Sequence, residues 1–478
     1  MLGLFGTLNL ASRSLQTQMT GVEVTGQNIA NASTTGYSRQ RVDITSSPDL
    51  TTSAGQEGTG ADVTGIQQVV NSLLNNQIQS QGSTSGYWSA QQTALQSVED
   101  GLDEYLNGSG SSSSTSSTSS STSSTTDTGI SSQLSAFFTD LQSVATSPTS
   151  VSARQTLIGD AQTLAASFNT INTKLNSTTD SLNASVSTGV ASANKLLTDI
   201  ASLNSEISSA EASGGNANDL TDAREQDLEN LSQLTNITTG TDTNGSVNVT
   251  IGGQTLVSGN TVNDTLQTYD SGNGNLLVRT ATGQTSLTLS GGSIQGTIDA
   301  RDGTLATLKG SLNSLAGTLI TQVNAVHSGG YSLTGTTGSN FFTGSDASTI
   351  TVNPALVSDP TLIQASGSAT AASDNSVALQ MADLASTAQS TLNNQTFSDN
   401  YNSSVASFGT ALGDANTQVT DQTKVATMLN TQRSSTSGVN IDEEMTNMLA
   451  YQRAYEASAQ LVTTVNTMMG DTLSMKTA

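Results

Sequence analysis

Cysteine is absent from this 478-residue chain, which removes disulfides, cysteine-type zinc sites and thiol catalysis at once. Freedom from cysteine also suits passage, unfolded, through a narrow channel. Histidine occurs once, at His327, so a histidine-rich metal site is excluded and a Ser-His-Asp triad would rest on that residue alone. It follows the apolar helix face of Leu319, Ile320, Val323 and Val326 and reads as structural. Proline is confined to Pro48, Pro148, Pro354 and Pro360, each in a loop-like setting, so the stretches between them are free to be uninterrupted helix. Basic residues number 14 against 38 acidic ones, a formal net charge of −24. Such a surface repels phosphates, so neither nucleic acid nor an anionic membrane is an expected partner. No run is long and apolar enough to span a bilayer. The opening MLGLFGTLNLASRSLQ lacks a basic n-region and a compact apolar core, so no cleavable signal peptide is expected.

Bulky apolar residues are scarce, while Ser, Thr, Asn, Gly and Ala are abundant, a texture suited to extended, solvent-bathed architecture. The apolar residues are concentrated in order at the two ends. Leu8, Leu15, Val22 and Ile29 recur every seventh residue, with Leu4 and Ala11 between them and a shift to Met19 at Gln18. Met445, Met448, Tyr455, Ala459, Val462, Met469 and Leu473 follow a three-four spacing. Each series draws a narrow apolar stripe on a helix, which suits a coiled-coil partner better than a broad core. An isolated helix of this kind cannot bury its stripe, so folding and association should be coupled, and an unassembled stripe is a surface for a protective partner.

Between the ends, the pattern predicts a first helix over about 4–31, a Gly/Thr-rich segment to about 60, and helix from about Val63 to Leu106. The Ser/Thr run at 109–128 has nothing to bury and reads as a disordered, insertion-tolerant loop, with a glycosylated tract as the alternative. Helix resumes over 130–212 and 220–234. Short alternating runs such as SVNVTIGGQTLV, LLVRT and TSLTLSGGSIQG, set off by Gly-Asn-Ser turns, predict a β domain at 236–296. Helix returns from Ile298 to Val326, a mixed Gly-rich patch occupies 330–370, and helices complete the chain. The expected fold is therefore mainly α with an inserted β domain, elongated, in three parts. An axial coiled coil comes from 1–45 and 439–478, a long-helix bundle from 46–235 and 297–438, and a small outer β domain from 236–296.

Chemistry is hard to find. No G-x-S-x-G elbow surrounds a serine. Asp222 with Glu225, and Asp299 with Asp302, lie one helical turn apart and read as solvated surface pairs. Gly272-Asn273-Gly274 is a hairpin turn with no lysine or following helix to make a phosphate loop. No catalytic, cofactor or metal site is expected. Charge carries one signal: residues 1–41 hold Arg13, Arg39 and Arg41 against Glu23, a balance of +2, while 439–478 hold two basic and five acidic residues, a balance of −3. An antiparallel pairing would bring Arg39 and Arg41 to Asp442, Glu443 and Glu444, where Asn440 and Glu443 resemble a capping box. A solvated acidic run with a helix cap is the plain alternative.

The segment Gln27-Asn28-Ile29-Ala30-Asn31-Ala32-Ser33-Thr34-Thr35-Gly36-Tyr37-Ser38-Arg39-Gln40 resembles the N-terminal signature of the flagellar rod, hook and hook-associated axial proteins. Asn31, Ser33 and Gly36 end the helix and turn the chain, and Tyr37 anchors the exit. The stretch from Val439 through Met445 to Leu449-Ala450-Tyr451-Gln452-Arg453-Ala454-Tyr455 is similar to the C-terminal partner motif of the same family. The GYSRQ continuation, long helical middle and inserted β domain look most like the members at the hook–filament junction. The resemblance implies a ring-forming structural subunit, with terminal helices that order when they line the tube. It implies an assembly interface of Leu8, Leu15, Val22, Asn28, Ile29, Asn31, Gly36, Tyr37, Met445, Met448, Tyr455, Val462 and Met469. The implied partners are copies of itself, the hook protein, the second junction protein, filament proteins, and a cytoplasmic export chaperone on the C-terminal helix. It further implies an extracellular place in the flagellum, reached through the flagellar channel without a cleaved signal. A hook or rod protein, a secreted adhesin or surface-layer protein, and a flagellum-borne hydrolase working in the β domain remain competing readings.

Overall fold

The computed structural model describes residues 3–52, 55–106, 129–242 and 244–477, and the Ser/Thr run at 109–128 lies outside them. Helix α1 (Leu4–Ala30) leads into strands β1 (Gln40–Ser46), β2 (Leu50–Thr52), β3 (Gly55–Glu57) and β4 (Ala61–Gln68). Helices α2 (Ser72–Leu106), α3 (Ile130–Thr146), α4 (Val151–Ala212) and α5 (Asn218–Leu234) follow. Strands β5 (Ile237–Thr241), β6 (Val247–Ile251), β7 (Gln254–Ser258), β8 (Thr261–Val262), β9 (Leu266–Asp270) and β10 (Leu276–Thr280) are inserted before α6 (Gly292–Asp299). A π-helical segment, Ala300–Leu305, joins α6 to α7 (Ala306–His327). The short β11 (Phe342–Thr343), β12 (Thr351–Val352), α8 (Pro354–Ser358) and α9 (Ser376–Asp383) precede α10 (Phe397–Ser437) and α11 (Ile441–Thr477). The chain is mainly helical with a small β-rich insertion, the expected class.

Helix α4 is the spine. At 1.5 Å per residue its 62 residues span about 90 Å. Ser150 caps its start, accepting from the Ala153 N–H. Leu157, Leu164, Phe168, Ile171 and Leu175 on its first half enter a core shared with α3, α7, α9 and the start of α10. Val186, Val190, Leu197 and Ile200 on its second half enter another, shared with α5, α6 and the inserted strands. The strands form an antiparallel four-stranded sheet in the order β5-β6-β7-β8 and a separate β9–β10 hairpin.

Asparagines fasten those strands to the spine. Asn204 is fully buried. Its amide donates to the Val247 and Gly259 carbonyls at 2.8 and 2.6 Å, and its oxygen accepts from the Val247 N–H and from Arg224. Asn194 exchanges the same pair of bonds with Leu266, and Asn183 accepts from the Leu276 N–H while donating to Gly274. Each amide thus stands in for a neighbouring strand. The π-helical turn adds Arg301, buried at 1 % exposure, which ion-pairs with Asp302 and bonds to Asn183 and the Leu276 carbonyl.

Three expectations need correction. The helix expected from Val63 begins at Ser72, because Ala61–Gln68 is strand β4, paired with β1 from Gln40↔Gln68 to Ser46↔Ala61. The segment from 46 to 68, assigned by sequence to the helical body, instead folds back on α1: Thr17 donates to the Ala61 carbonyl, and Arg13 bonds to Ser47 and Asp62. TSLTLSGGSIQG is not a regular strand. It contributes one isolated bridge, Arg279↔Ser286, and then helix α6 from Gly292.

Candidate assembly interface

Helices α1 and α11, from opposite ends of the chain, pack against each other antiparallel. The register is set by seven-residue steps: Asn28 meets Glu444, Gly21 meets Tyr451, and Ser14 meets Ser458. The next step sets Thr7 opposite Val465, which is buried at 3 % exposure. Seven-residue repetition is what two supercoiled helices need to keep one seam in contact. Two of these steps depend on small residues. A methyl group at Gly21 would lie 2.7 Å from the Tyr451 ring, so the helices touch there through a missing side chain. The Ser14 and Ser458 hydroxyls bond at 2.8 Å.

The antiparallel pairing that the charge pattern suggested is present, so neither stripe is isolated: each helix is the other's partner. The large-residue series Leu8, Leu15, Val22 and Ile29 runs one residue beyond the seam and is half-buried. On α11, Met448, Val462 and Met469 are also half-buried, whereas Met445 and Tyr455 face outward at 53 % and 41 % exposure. Helix α11 is longer than α1, 37 residues against 27, so its last turns run past the start of α1. Two outward apolar patches result. Ile441, Met445 and Leu449 line one face at i, i+4 spacing, and Leu461, Met468 and Met475, seven apart, line another.

A polar node closes the pair at the end nearest the body. Asn31 caps α1, Gly36 adopts φ +84°, and the chain turns back so that Tyr37 reaches Asn28. Asn28, 1 % exposed, makes all four of its bonds: to the Gln40 carbonyl and Glu444 as donor, and from the Gln40 N–H and Tyr37 hydroxyl as acceptor. Glu444 is buried and ion-paired to Arg39 at 2.8 Å, and Arg39 reaches Glu443 at 3.0 Å. Burial works against the Arg39 charge, and the two glutamates outweigh it. Arg41 pairs instead with Asp43, so only one of the two expected arginines meets the acidic run. Asn440 accepts from the Asp442 and Glu443 N–H groups, but Glu443 is turned to Arg39 rather than back to Asn440.

Helix α5 presents its first turns to this node. Asp222 accepts from the Ser38 N–H, Asp219 from Gln40 and Gln27, and Asn218 donates to Gln40 and the Ile66 carbonyl. Burial raises the Asp222 pKa, and the Tyr37 hydroxyl is pushed up to about 12 by burial and by Asp219, Asp222 and Glu444. A cavity of about 570 Å³ lies beside these groups, lined by the 31–38 turn, α5 and the end of α10. Buried ion pairs of this kind contribute specificity of register more than net stability. The sequence named Asn28, Asn31, Gly36 and Tyr37 and placed Glu444 among the acids facing Arg39; it missed the close approach of Gly21 to Tyr451 and read Asp222 as a solvated surface residue, although the heptad spacing of 14, 21 and 28 was an available signal.

The residues weighed for chemistry are occupied elsewhere. His327 is fully buried, with Nδ1 at 2.7 Å from the Ser339 carbonyl and Nε2 accepting from the Gln364 N–H. Asp299 accepts from Tyr87 and Gln295, while Asp302 holds Arg301, so the two carboxylates do not converge. Among the described residues no helix is long and apolar enough to cross a membrane, and no cluster of metal-ligating side chains forms.

Known proteins resemble this chain. Residues 116–342 match the family model described as "Flagellar hook-associated protein FlgK helical domain", and residues 430–475 match "Flagellar basal body rod FlgEFG protein C-terminal". Flagellar hook-associated protein 1 of Bacillus subtilis (strain 168) is 27 % identical over 511 residues, covering 97 % of this chain and 96 % of that protein. The protein of the same name from Salmonella typhimurium is 24 % identical over 576 residues, covering 98 % and 99 %. The solved structure of the flagellar hook junction protein FlgK from Burkholderia pseudomallei superposes with a TM-score of 0.63 at 18 % identity, over 76 % of this chain and all of that one, and shows the fold.

Proposed function

We propose, from its likeness to flagellar hook-associated proteins over nearly its full length, that the chain is a member of that family and a structural subunit of the bacterial flagellum, assembling as a ring at the hook–filament junction and required for filament assembly. The observation that carries this reading is the antiparallel α1/α11 pair, which unites the two chain ends and still turns Met445, Leu449, Met468 and Leu473 outward. Exposed apolar surface on a helix pair is surface for further helices. The interface extends over Leu8, Leu15, Val22, Ile29, Met448, Tyr455, Val462 and Met469, with Asn28, Asn31, Gly36 and Tyr37 fixing the pair to the body. The axial unit takes in 1–45 and 439–478 together with the β1–β4 arm, the helical body lies between, and the inserted strands face outward from it.

Its partners are copies of itself, the hook protein on one side, and the second junction protein and filament proteins on the other. Export runs through the flagellar channel without a cleaved signal, and a cytoplasmic chaperone covers α11 until then. The role assigns no chemistry to any side chain. A hook or rod subunit is the second reading, favoured by the match of residues 430–475 to the rod-protein C-terminal model. Electron microscopy of a deletion strain tests the proposal: hooks without filaments, with flagellin lost to the medium, is expected, whereas missing hooks or normal filaments would contradict it.

A further inference from the structure

The chain has nine methionines and no cysteine, so thioethers are its only oxidisable sulfur. Their placement is uneven. Met381 is fully buried in the body. Met19, Met428, Met445, Met468 and Met475 are exposed at 53 %, 60 %, 53 %, 53 % and 81 %, and three of these five lie on α11. Met445 belongs to the Ile441/Leu449 patch, and Met468 and Met475 to the Leu461 patch. Unbranched, polarizable side chains of this kind adapt to irregular partner surfaces. They also carry a specific liability, because exposed thioethers oxidise to sulfoxides and buried ones are protected.

We propose that Met445, Met468 and Met475 form an oxidation-sensitive face, and that a small hydroperoxide such as hydrogen peroxide withdraws the unassembled subunit from assembly onto the hook end by converting them to sulfoxides. The proposal rests on the junction reading for what this face contacts. A sulfur lone pair attacks one peroxide oxygen, the S–O bond forms and the O–O bond breaks. The sulfur-bound oxygen gives its proton to the departing hydroxide, which leaves as water. The thioether is oxidised by two electrons and the peroxide reduced by two. The three side chains already face solvent, so the monomer's fold is indifferent to the change. In a dry contact between helices, each sulfoxide brings a strong dipole with no partner, which such a contact does not tolerate. Reduction by methionine sulfoxide reductases restores the thioether, so the block is reversible.

The test uses the full chain and hydrogen peroxide. Peptide mass spectrometry follows oxygen uptake at each methionine, and pelleting with isolated hook–basal bodies follows binding. Met445, Met468 and Met475 should gain one oxygen about ten times faster than Met381 or more, as their exposure dictates. Treated chain should lose hook binding and regain it after incubation with both reductase types. In the Met445→Leu/Met468→Leu/Met475→Leu variant, the ratio of treated to untreated binding should stay near one. Equal oxidation of Met381, undiminished binding by oxidised chain, or a variant as peroxide-sensitive as the parent would overturn the proposal. Untreated chain that does not bind hook ends overturns the junction reading itself, and with it the assembly consequence drawn here.

Discussion

Gly21→Ala is the sharpest probe of the helix pair. The added methyl group would lie 2.7 Å from the Cδ1 and Cε1 atoms of Tyr451, where carbon atoms prefer about 3.5–4.0 Å. The contact is to the edge of a ring held in the seam, so relief requires the helices to part by about 1 Å. Overpacking of this kind costs about 1–3 kcal/mol. Alanine returns about 1 kcal/mol through its helix propensity, leaving the pair about 0–2 kcal/mol weaker. In a Tyr451→Ala background the clash is gone and only the propensity gain remains, so the same substitution should stabilise by about 1 kcal/mol. Gly26→Ala is the control: its methyl group would sit 4.0 Å from the Met448 Cε, an ordinary contact, and should stabilise outright. Hydrogen exchange of α1 amides reads the local opening free energy in each background. A Gly21→Ala effect of the same sign and size with and without the Tyr451 ring would refute the register.

Three further outcomes follow from the body. Asn204→Ala strips the bonds that tie β6 and β7 to α4 and should cost about 3 kcal/mol or more in urea unfolding, since buried backbone groups and Arg224 lose their partner. The His327 pKa is pulled down to about 4 by burial, aided by Arg154 and opposed by the Ser339 bond. The unfolded chain binds the proton first, so stability is lost as pH falls from about 6.5 to 4, by up to about 3 kcal/mol, and a His327→Gln variant should lose that part of the slope. Asp140 is pushed up to about 6 by burial and by neighbouring Asp160, the opposite sign: the folded state holds the proton and is penalised above that pH. Asp140→Asn should therefore stabilise at pH 8 by about 1 kcal/mol, discounted for solvent screening, and change nothing near pH 4, as thermal unfolding at the two pH values will record.

The sequence carried the helical framework because long periodic stripes are strong signals. The first helix was expected over 4–31 and spans Leu4–Ala30, and the Arg39 pairing with the acidic start of α11 followed from charge alone. The seam itself was harder to read. A heptad search weighs Leu, Val and Ile, whereas close approach here depends on Gly21, Ser14 and Ser458, whose smallness is the point. The arm β1–β4 was missed because its strands are short and polar and lean on α1 through Thr17 and Arg13 rather than on an apolar face. Asn183, Asn194 and Asn204 read as ordinary polar helix positions, since nothing local reveals that each amide will meet a strand edge many residues away. Asn28 was legible through its motif, but its buried partner Glu444 stood in a run of three acids that read equally well as a solvated cap.

Immunogold electron microscopy of intact flagella, with antibody raised against the inserted β domain, tests the central claim most directly. The account predicts gold confined to a narrow band where hook meets filament, present on every flagellum. Label along the hook, along the filament or over the cell surface, with none at that boundary, would contradict it.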